Sequence, residues 1–239
     1  TFSENYGIEK WMTNRARRAV ELYGSDESIT HDEFFRYKYD KLYSEKSNLR
    51  RQVADFVEAQ AGNSVLKKEI DLLRQWNGET TKDNRSAALV LLTFRPKSNS
   101  SKRKTGHERT LEQLQKASED LIKHFGQIDV EWGKVNRLVR GDKNLPLGGG
   151  PDTLRAIYGR PKEDGTLAGV AGDCFFQFVE WDKDGQLNAW AMNQFGSNPG
   201  NPDSLHHTDQ APLFAEEKLR KVPFTRKEVL AKAKRIYRP

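Results

Sequence analysis

The octapeptide Leu145-Pro-Leu-Gly-Gly-Gly-Pro-Asp152 can continue neither a helix nor a central strand. Its two prolines lack amide donors and fix φ, and its three successive glycines offer no side chain to pack. It lies close to a change of texture along the chain. Residues 1–140 hold one proline, Pro96, and seven of the eighteen glycines, whereas residues 141–200 alone hold eleven glycines. The first stretch favours helices and the second favours strands joined by turns. The expected class is α+β, with a mainly helical segment over 1–140 and a strand-rich segment over 141–239 that closes with a helix.

Local signals fill in both segments. Thr30-His-Asp-Glu33 is a capping box that opens an aromatic helix through Phe34, Phe35, Tyr37 and Tyr39, and Thr225-Arg-Lys-Glu228 is a second, starting the closing basic helix. Helical spacing also runs through 49–59, 65–76, 87–94 and 108–125, where apolar stripes read as core packing. Cys174–Trp181 alternates as a strand. Asp182-Lys-Asp-Gly185 is its hairpin turn, and Leu187–Phe195 is the return strand. Both strands are apolar on both faces, which predicts layers above and below them.

Composition mainly excludes. The chain has 239 residues, enough for a real core, with Lys+Arg 40 against Asp+Glu 34 and a net charge of +6. No apolar run approaches the ~18 residues of a spanning helix, and no signal-peptide pattern stands at Thr1. Cys174 is the only cysteine, which excludes an intrachain disulfide and a cysteine-based zinc site. The five histidines form no metal-ligand spacing. A basic run over Lys97–Arg109 has a Ser/Asn/Gly setting and no interleaved aromatic residues. It therefore reads as a solvated loop rather than a nucleic-acid surface.

A few residues resist a purely structural account. At about 100° per residue, Ile8, Trp11, Met12, Ala19 and Leu22 share one stripe, and Arg15 falls in its middle. An arginine keeps its charge, so Arg15 needs a carboxylate, a set of carbonyls or a polar cleft. Glu180 shares a strand face with Cys174, Phe176 and Phe178, so its carboxylate either finds donors inside or sits at the rim. His206 and His207 stand beside Asp209 after a Gly/Asn/Pro loop, a pairing that serves acid–base chemistry or simply packs the loop. Thr1 has the form of an N-terminal nucleophile, but any chain cut before a threonine would look the same.

Four stretches in register resemble one family. FSENYGIEKWMTNRARRAVEL, LPLGGGPDTLRAIYG, GDCFFQFVEWDKDG, and QFGSNPGNPDSLHHTDQAPLF followed by VPFT are similar to the C-terminal part of the penicillin acylase family. The likeness is greatest to its acyl-homoserine lactone acylase and cephalosporin acylase-like members. The resemblance implies a four-layer αββα sandwich of the N-terminal-nucleophile hydrolases. In these, a precursor cuts itself into α and β chains, the serine that opens β attacks an amide carbonyl, and its own amine serves as base. An asparagine-rich motif supplies an oxyanion donor. Neither that serine nor that motif is in this sequence. By the resemblance, Thr1 lies shortly after the motif, which argues against Thr1 as nucleophile.

The resemblance also assigns residues. Arg15 matches an arginine that organises the oxyanion asparagine and the substrate cleft, and Glu180 matches an acidic strand position that orients the histidine of the β chain. Glu4 matches an acidic ligand of a structural calcium in some members. His206, Asp209 and Gln210 match a supporting segment. The implied function is that of a C-terminal subunit or fragment of an acylase acting on an acyl-homoserine lactone or a similar long-chain acyl amide. A β-lactam acylase subunit is the alternative. From another class, the alternative is a stand-alone basic binding module. The implied partners are the α chain and the N-terminal part of β. No catalytic cofactor, nucleic acid or membrane span is implied, the compartment is periplasmic or secreted, and the chain alone is expected to be inactive.

Overall fold

A computed structural model describes residues 12–94 and 106–236. Its contacts group the chain into two units that do not follow the textural divide. One comprises 1–137 and 146–172, the other 138–145 and 173–239.

The first unit is largely helical. Its helices are α1 (Asn14–Tyr23), α2 (His31–Lys38), α3 (Asn48–Ala59), α4 (Lys67–Gln75), α5 (Ala87–Thr93), α6 (Gly106–Phe125) and the single turn α7 (Trp132–Val135). For α3 to α6 the boundaries fall within a residue or two of the apolar spacing, and the Thr30–Glu33 capping box forms as the sequence predicts. The sequence Ala-Ala-Leu-Val-Leu-Leu-Thr of α5 is apolar all round, and it lies at the centre, with Ala87 to Val90 fully buried. Around it pack Phe56, Ile70, Leu73, Leu114, Leu121 and Trp132, each at most 2% exposed. Each large side chain withdrawn in this way contributes roughly 1.5–3 kcal/mol.

The switch from helix to strand comes at Asn136, inside the stretch that reads as helical. Strands β1 (Asn136–Arg140), β2 (Lys143–Pro146), β3 (Ile157–Pro161) and β4 (Leu167–Gly172) form a sheet of order β2-β1-β4-β3. β1 runs parallel to β4 through Asn136↔Leu167 and Arg137↔Ala168, and β3 pairs antiparallel with β4. The octapeptide begins in the last two residues of β2, an edge strand where Pro146 is tolerated. From Leu147 it runs on as the irregular connection toward β3.

The second unit holds a three-stranded sheet of order β5-β6-β7, formed by β5 (Phe176–Trp181), β6 (Leu187–Met192) and β7 (Arg220–Lys221). The β5–β6 register runs from Phe176↔Met192 to Trp181↔Leu187, closed by the predicted Asp182–Gly185 turn. Helices α8 (Ala211–Ala215) and α9 (Arg226–Lys232) follow, α9 with its Thr225–Glu228 capping box. One expectation fails here. Phe178 is buried, but Phe175, Val179 and Trp181 on the opposite face are 57%, 40% and 65% exposed, so β5 is not covered on both sides. Two-faced apolar alternation records that a face needs cover, not that this chain supplies it.

The basic run is also shorter as a loop than expected. Gly106–Arg109 forms the first turn of α6, and His107 packs edge-on against Phe56, while 97–105 lie outside the described residues. Among the described residues no helix is long and apolar enough to cross a membrane.

Candidate functional site

Three segments far apart in sequence meet at the start of α1: the helix itself, the stretch Asp40–Ser44 and the loop Leu147–Arg155. Thr13 caps the helix by accepting from the Ala16 amide at 3.2 Å. The two amides ahead of it are left without intrahelical acceptors, and the Asp152 carboxylate takes both. The Asn14 amide donates to Oδ2 at 2.7 Å, and the Arg15 amide makes a long 3.5 Å contact with Oδ1. A carboxylate at the positive end of a helix is favourably placed.

The loop that carries Asp152 is pinned from below. Trp132 Nε1 and Asn136 Nδ2 donate to the Gly149 carbonyl at 2.7 and 3.3 Å, and the Gly149 amide donates to Thr80 O at 2.8 Å. Gly149 has φ +86, and a Cβ there would stand 2.2 Å from the Arg155 carbonyl oxygen, so glycine alone fits. The buried Thr153 hydroxyl accepts from the Gly150 amide at 3.1 Å and reaches the Arg155 carbonyl at 2.7 Å. The Tyr43 hydroxyl donates to the Pro151 carbonyl. Burial, reinforced by the nearby Asp152 charge, pushes the Tyr43 hydroxyl pKa far up, which keeps it a neutral donor. At the end of this scaffold Asp152 takes φ +61, a left-handed conformation that costs a non-glycine residue about 1–3 kcal/mol.

Asn14 ties the segments together. It is 5% exposed and uses its whole amide: Nδ2 donates to Leu42 O at 3.1 Å and to Asp152 O at 2.9 Å, and Oδ1 accepts from the Ser44 amide at 2.9 Å. One turn on, Arg18 grips Asp40 through two parallel bonds, Nε to Oδ1 at 3.0 Å and Nη2 to Oδ2 at 2.8 Å. Its Nη1 reaches Glu21 at 2.6 Å, and Glu21 accepts from the Ser44 hydroxyl at 2.6 Å. The Asp40 bond, set against burial, raises the Arg18 pKa. Burial disfavours the Glu21 charge, but the Ser44 and Arg18 bonds outweigh it and hold the carboxyl below the ordinary glutamate value of 4.5.

That shift has a sign that can be tested. A depressed folded-state pKa contributes stability above the unfolded value, and this is lost as pH falls through the folded one. Glu21→Gln should therefore lower the melting temperature of the complete protein at neutral pH and leave it unchanged at pH well below 4.5. The effect should stay under about 1 kcal/mol because the carboxylate remains partly solvated. Melting curves across this range check it, and an equal loss at every pH would count against the ionic contact.

Arg15 has a carboxylate beside it, one of the partners its place in the stripe calls for. Its side chain is 48% exposed rather than turned into a core, and Nε lies 3.3 Å from Asp152 Oδ1. Among the described residues neither Nη nitrogen has a partner. The reason is local: α1 starts at Asn14, so Arg15 sits in a first turn whose facing is set by Asp152. Of the stripe, Met12 is 45% exposed, Ala19 and Leu22 are half-buried, and Ile8 and Trp11 lie outside the described residues. The buried polar residue of the helix is its neighbour, Asn14. What results is a guanidinium anchored along its Nε edge on an exposed side chain.

The other sequence-derived residues are placed as follows. Glu180 is half-buried on β5 opposite Asn188. His206 and Asp209 are brought together, Nδ1 to Oδ2 at 2.9 Å, with the His206 side chain 62% exposed. Gln210 is buried and knits its loop, accepting from the Asn193 amide at 3.0 Å and donating its own amide to Phe195 O at 2.8 Å. Cys174 is exposed. Glu4 and Thr1 lie outside the described residues. Among the described residues no three or more His, Cys, Asp or Glu side chains converge as metal ligands. Sequence reasoning misses the parts played by Asn14, Arg18, Asp40 and Asp152. Partners in this cluster lie as many as 138 residues apart, and no local signal marks them.

Comparisons with known proteins give this geometry a setting. An acyl-homoserine lactone acylase PvdQ of Pseudomonas fluorescens strain Pf0-1 is 31% identical over 127 residues, 52% of this chain and 16% of that protein. The PvdQ of P. fluorescens strain ATCC BAA-477 / NRRL B-23932 / Pf-5 is 32% identical over 106 residues, 43% of this chain and 13% of its own length. The aligned stretches therefore span about a sixth of these relatives or less. The structure of a thermostable penicillin G acylase from Alcaligenes faecalis covers 97% of this chain and 53% of its own, with TM-score 0.47 and 13% identity. The family model described as penicillin amidase matches residues 2–231, nearly the whole sequence, and the chain belongs to that family.

Proposed function

We propose that this chain is the C-terminal part of the β subunit of an acylase that hydrolyses the amide of an N-acylated substrate, with long-chain acyl-homoserine lactones the first candidates. Family membership over residues 2–231 carries the reading, and the named activity of the PvdQ relatives gives the substrate class. In this proposal a serine that opens another part of the β subunit attacks the amide carbonyl, and its own α-amine takes the proton. An asparagine side chain N–H binds the developing oxyanion. Arg15 holds the carboxamide oxygen of that asparagine through its outward Nη pair, so the N–H stays aimed at the reacting carbonyl. Glu180 orients a histidine of the β subunit. His206 and Asp209 brace their loop. A structural calcium on Glu4 and a periplasmic or secreted location remain part of the proposal, and no cofactor takes part in the chemistry.

The obligate partners in this reading are the α chain and the rest of β, which complete the four-layer αββα sandwich. The exposed Phe175, just ahead of β5, and Val179 and Trp181 within it suit such cover. Assay of the complete processed protein on N-acyl-homoserine lactones and on penicillins decides between the substrate classes, and cleavage of neither would sink the acylase reading.

Arg15 supplies the sharper test. Arg15→Ala and Arg15→Lys should each lower kcat up to about a hundredfold, since losing an aimed oxyanion donor costs about 10²–10³ and Arg15 acts through one. Lysine keeps the charge but not the planar fork, so it should rescue little. A lowered melting temperature with normal kcat per folded enzyme would assign Arg15 to stability alone.

A further inference from the structure

We infer that Asp152 is the positioning residue that aims Arg15, a latch that sets the register of α1 and the direction of its guanidinium together. The inference rests on the role proposed for Arg15 and extends it to a residue 137 positions away.

Three independent observations converge on this carboxylate. It accepts from the Arg15 side chain at 3.3 Å and, with its two oxygens, from the first two amides of α1. The position of the helix start and the aim of the side chain therefore depend on one group. Second, the backbone beneath it takes φ +61, which a non-glycine residue adopts at a cost, and strain of this kind persists only where surrounding structure over-determines it. That surrounding structure is present: Trp132, Asn136, Thr80 and Tyr43 hold the loop from Gly149 to Pro151, and the Tyr158 hydroxyl accepts from the Asp152 amide at 3.3 Å. Third, the carboxylate meets only the Nε edge of Arg15. A residue serving merely to neutralise a charge gains more from a two-pronged grip on the guanidinium, as Asp40 makes with Arg18. A single contact at Nε leaves the Nη pair without a partner among the described residues and fixes the plane in which it points.

Stability alone explains the geometry poorly. Both side chains are more than a third exposed, and an exposed pair adds little to folding. The position also carries backbone strain that glycine would relieve. A side chain kept at such a place for its carboxylate acts through what that carboxylate touches.

The test uses the complete processed enzyme, with kcat, KM and melting temperature measured on an N-acyl-homoserine lactone or a penicillin, whichever it cleaves. Asp152→Gly removes the strain with the carboxylate, and Asp152→Asn keeps the shape and one acceptor oxygen. The expected result is a ten- to hundredfold loss of kcat per folded enzyme for Asp152→Gly, a smaller loss for Asp152→Asn, little change in KM, and only a small change in melting temperature for the glycine variant, because relief of strain offsets the lost helix-start acceptors. In an Arg15→Ala background the Asp152 substitutions should cost no further activity, because both act through one guanidinium. Normal kcat in both variants would overturn the proposal, as would a loss fully additive to that of Arg15→Ala. If Arg15→Ala itself leaves kcat intact, the role given to Arg15 fails first. If Arg15→Ala is damaging while the Asp152 variants are not, only the latch fails.

Discussion

Trp132→Ala is expected to cost about 3–5 kcal/mol of stability, the usual range for a buried tryptophan cut to alanine. The side chain is 1% exposed within the main core, so its removal opens a cavity the surrounding helices cannot fill. Its indole N–H also donates to Gly149 O at 2.7 Å, beneath the loop that leads to Asp152. The loss should therefore reach the loop as well as the core. Hydrogen exchange in the complete protein should show amides of 147–155 losing protection along with the core helices. Trp132→Phe separates the two effects: it keeps most of the bulk and gives up one hydrogen bond, worth about 1 kcal/mol. If Trp132→Ala costs no more than Trp132→Phe, the packing argument is wrong.

Asp40→Ala and Arg18→Ala come next, each expected to cost about 3 kcal/mol, at the low end for breaking a buried pair because both groups keep some solvent contact. The Arg18 and Asp40 side chains are 12% and 15% exposed, and the pair is bidentate. Removing Asp40 leaves the guanidinium with Glu21 alone and takes an acceptor from the Leu42 amide at 3.3 Å. Removing Arg18 strands the carboxylate and one oxygen of Glu21. The double variant Arg18→Met, Asp40→Leu removes both members of the pair, leaves Glu21 short of one contact but still bonded to Ser44, and should recover part of the loss. Local opening energies of α1 and 40–44 from hydrogen exchange provide the measurement, and single substitutions costing under 1 kcal/mol would reduce the pair to an ordinary surface contact.

Much of the local structure is legible in the sequence. The helices from 48 to 125 announce themselves through apolar spacing, both capping boxes form as written, and the Asp182–Gly185 hairpin sits at its turn. These features depend on neighbours within a few residues, where period and turn chemistry act directly. The site is legible only in part. Arg15 stands out because an arginine in an apolar stripe is anomalous and needs a partner, but nothing in the sequence marks Asp152 as the carboxylate that meets it. Periodicity describes a face averaged over a helix and is silent about where the helix starts.

The sequence by itself determined the α+β class, the boundaries of the helices from 48 to 125 to within a turn, the irregular loop ahead of Asp152, and the family likeness carried by four stretches. Only the tertiary structure decided that the helical and strand-rich textures are divided into units by contact rather than by position. It also decided that one face of β5 is uncovered, and that Asp152 stands at the N-terminus of α1 with Asn14 and Arg15. The physical reason is range. Spacing and capping report interactions across three or four residues, whereas a carboxylate 137 residues away meets a guanidinium only after the core has placed both segments. No period in the chain encodes that meeting.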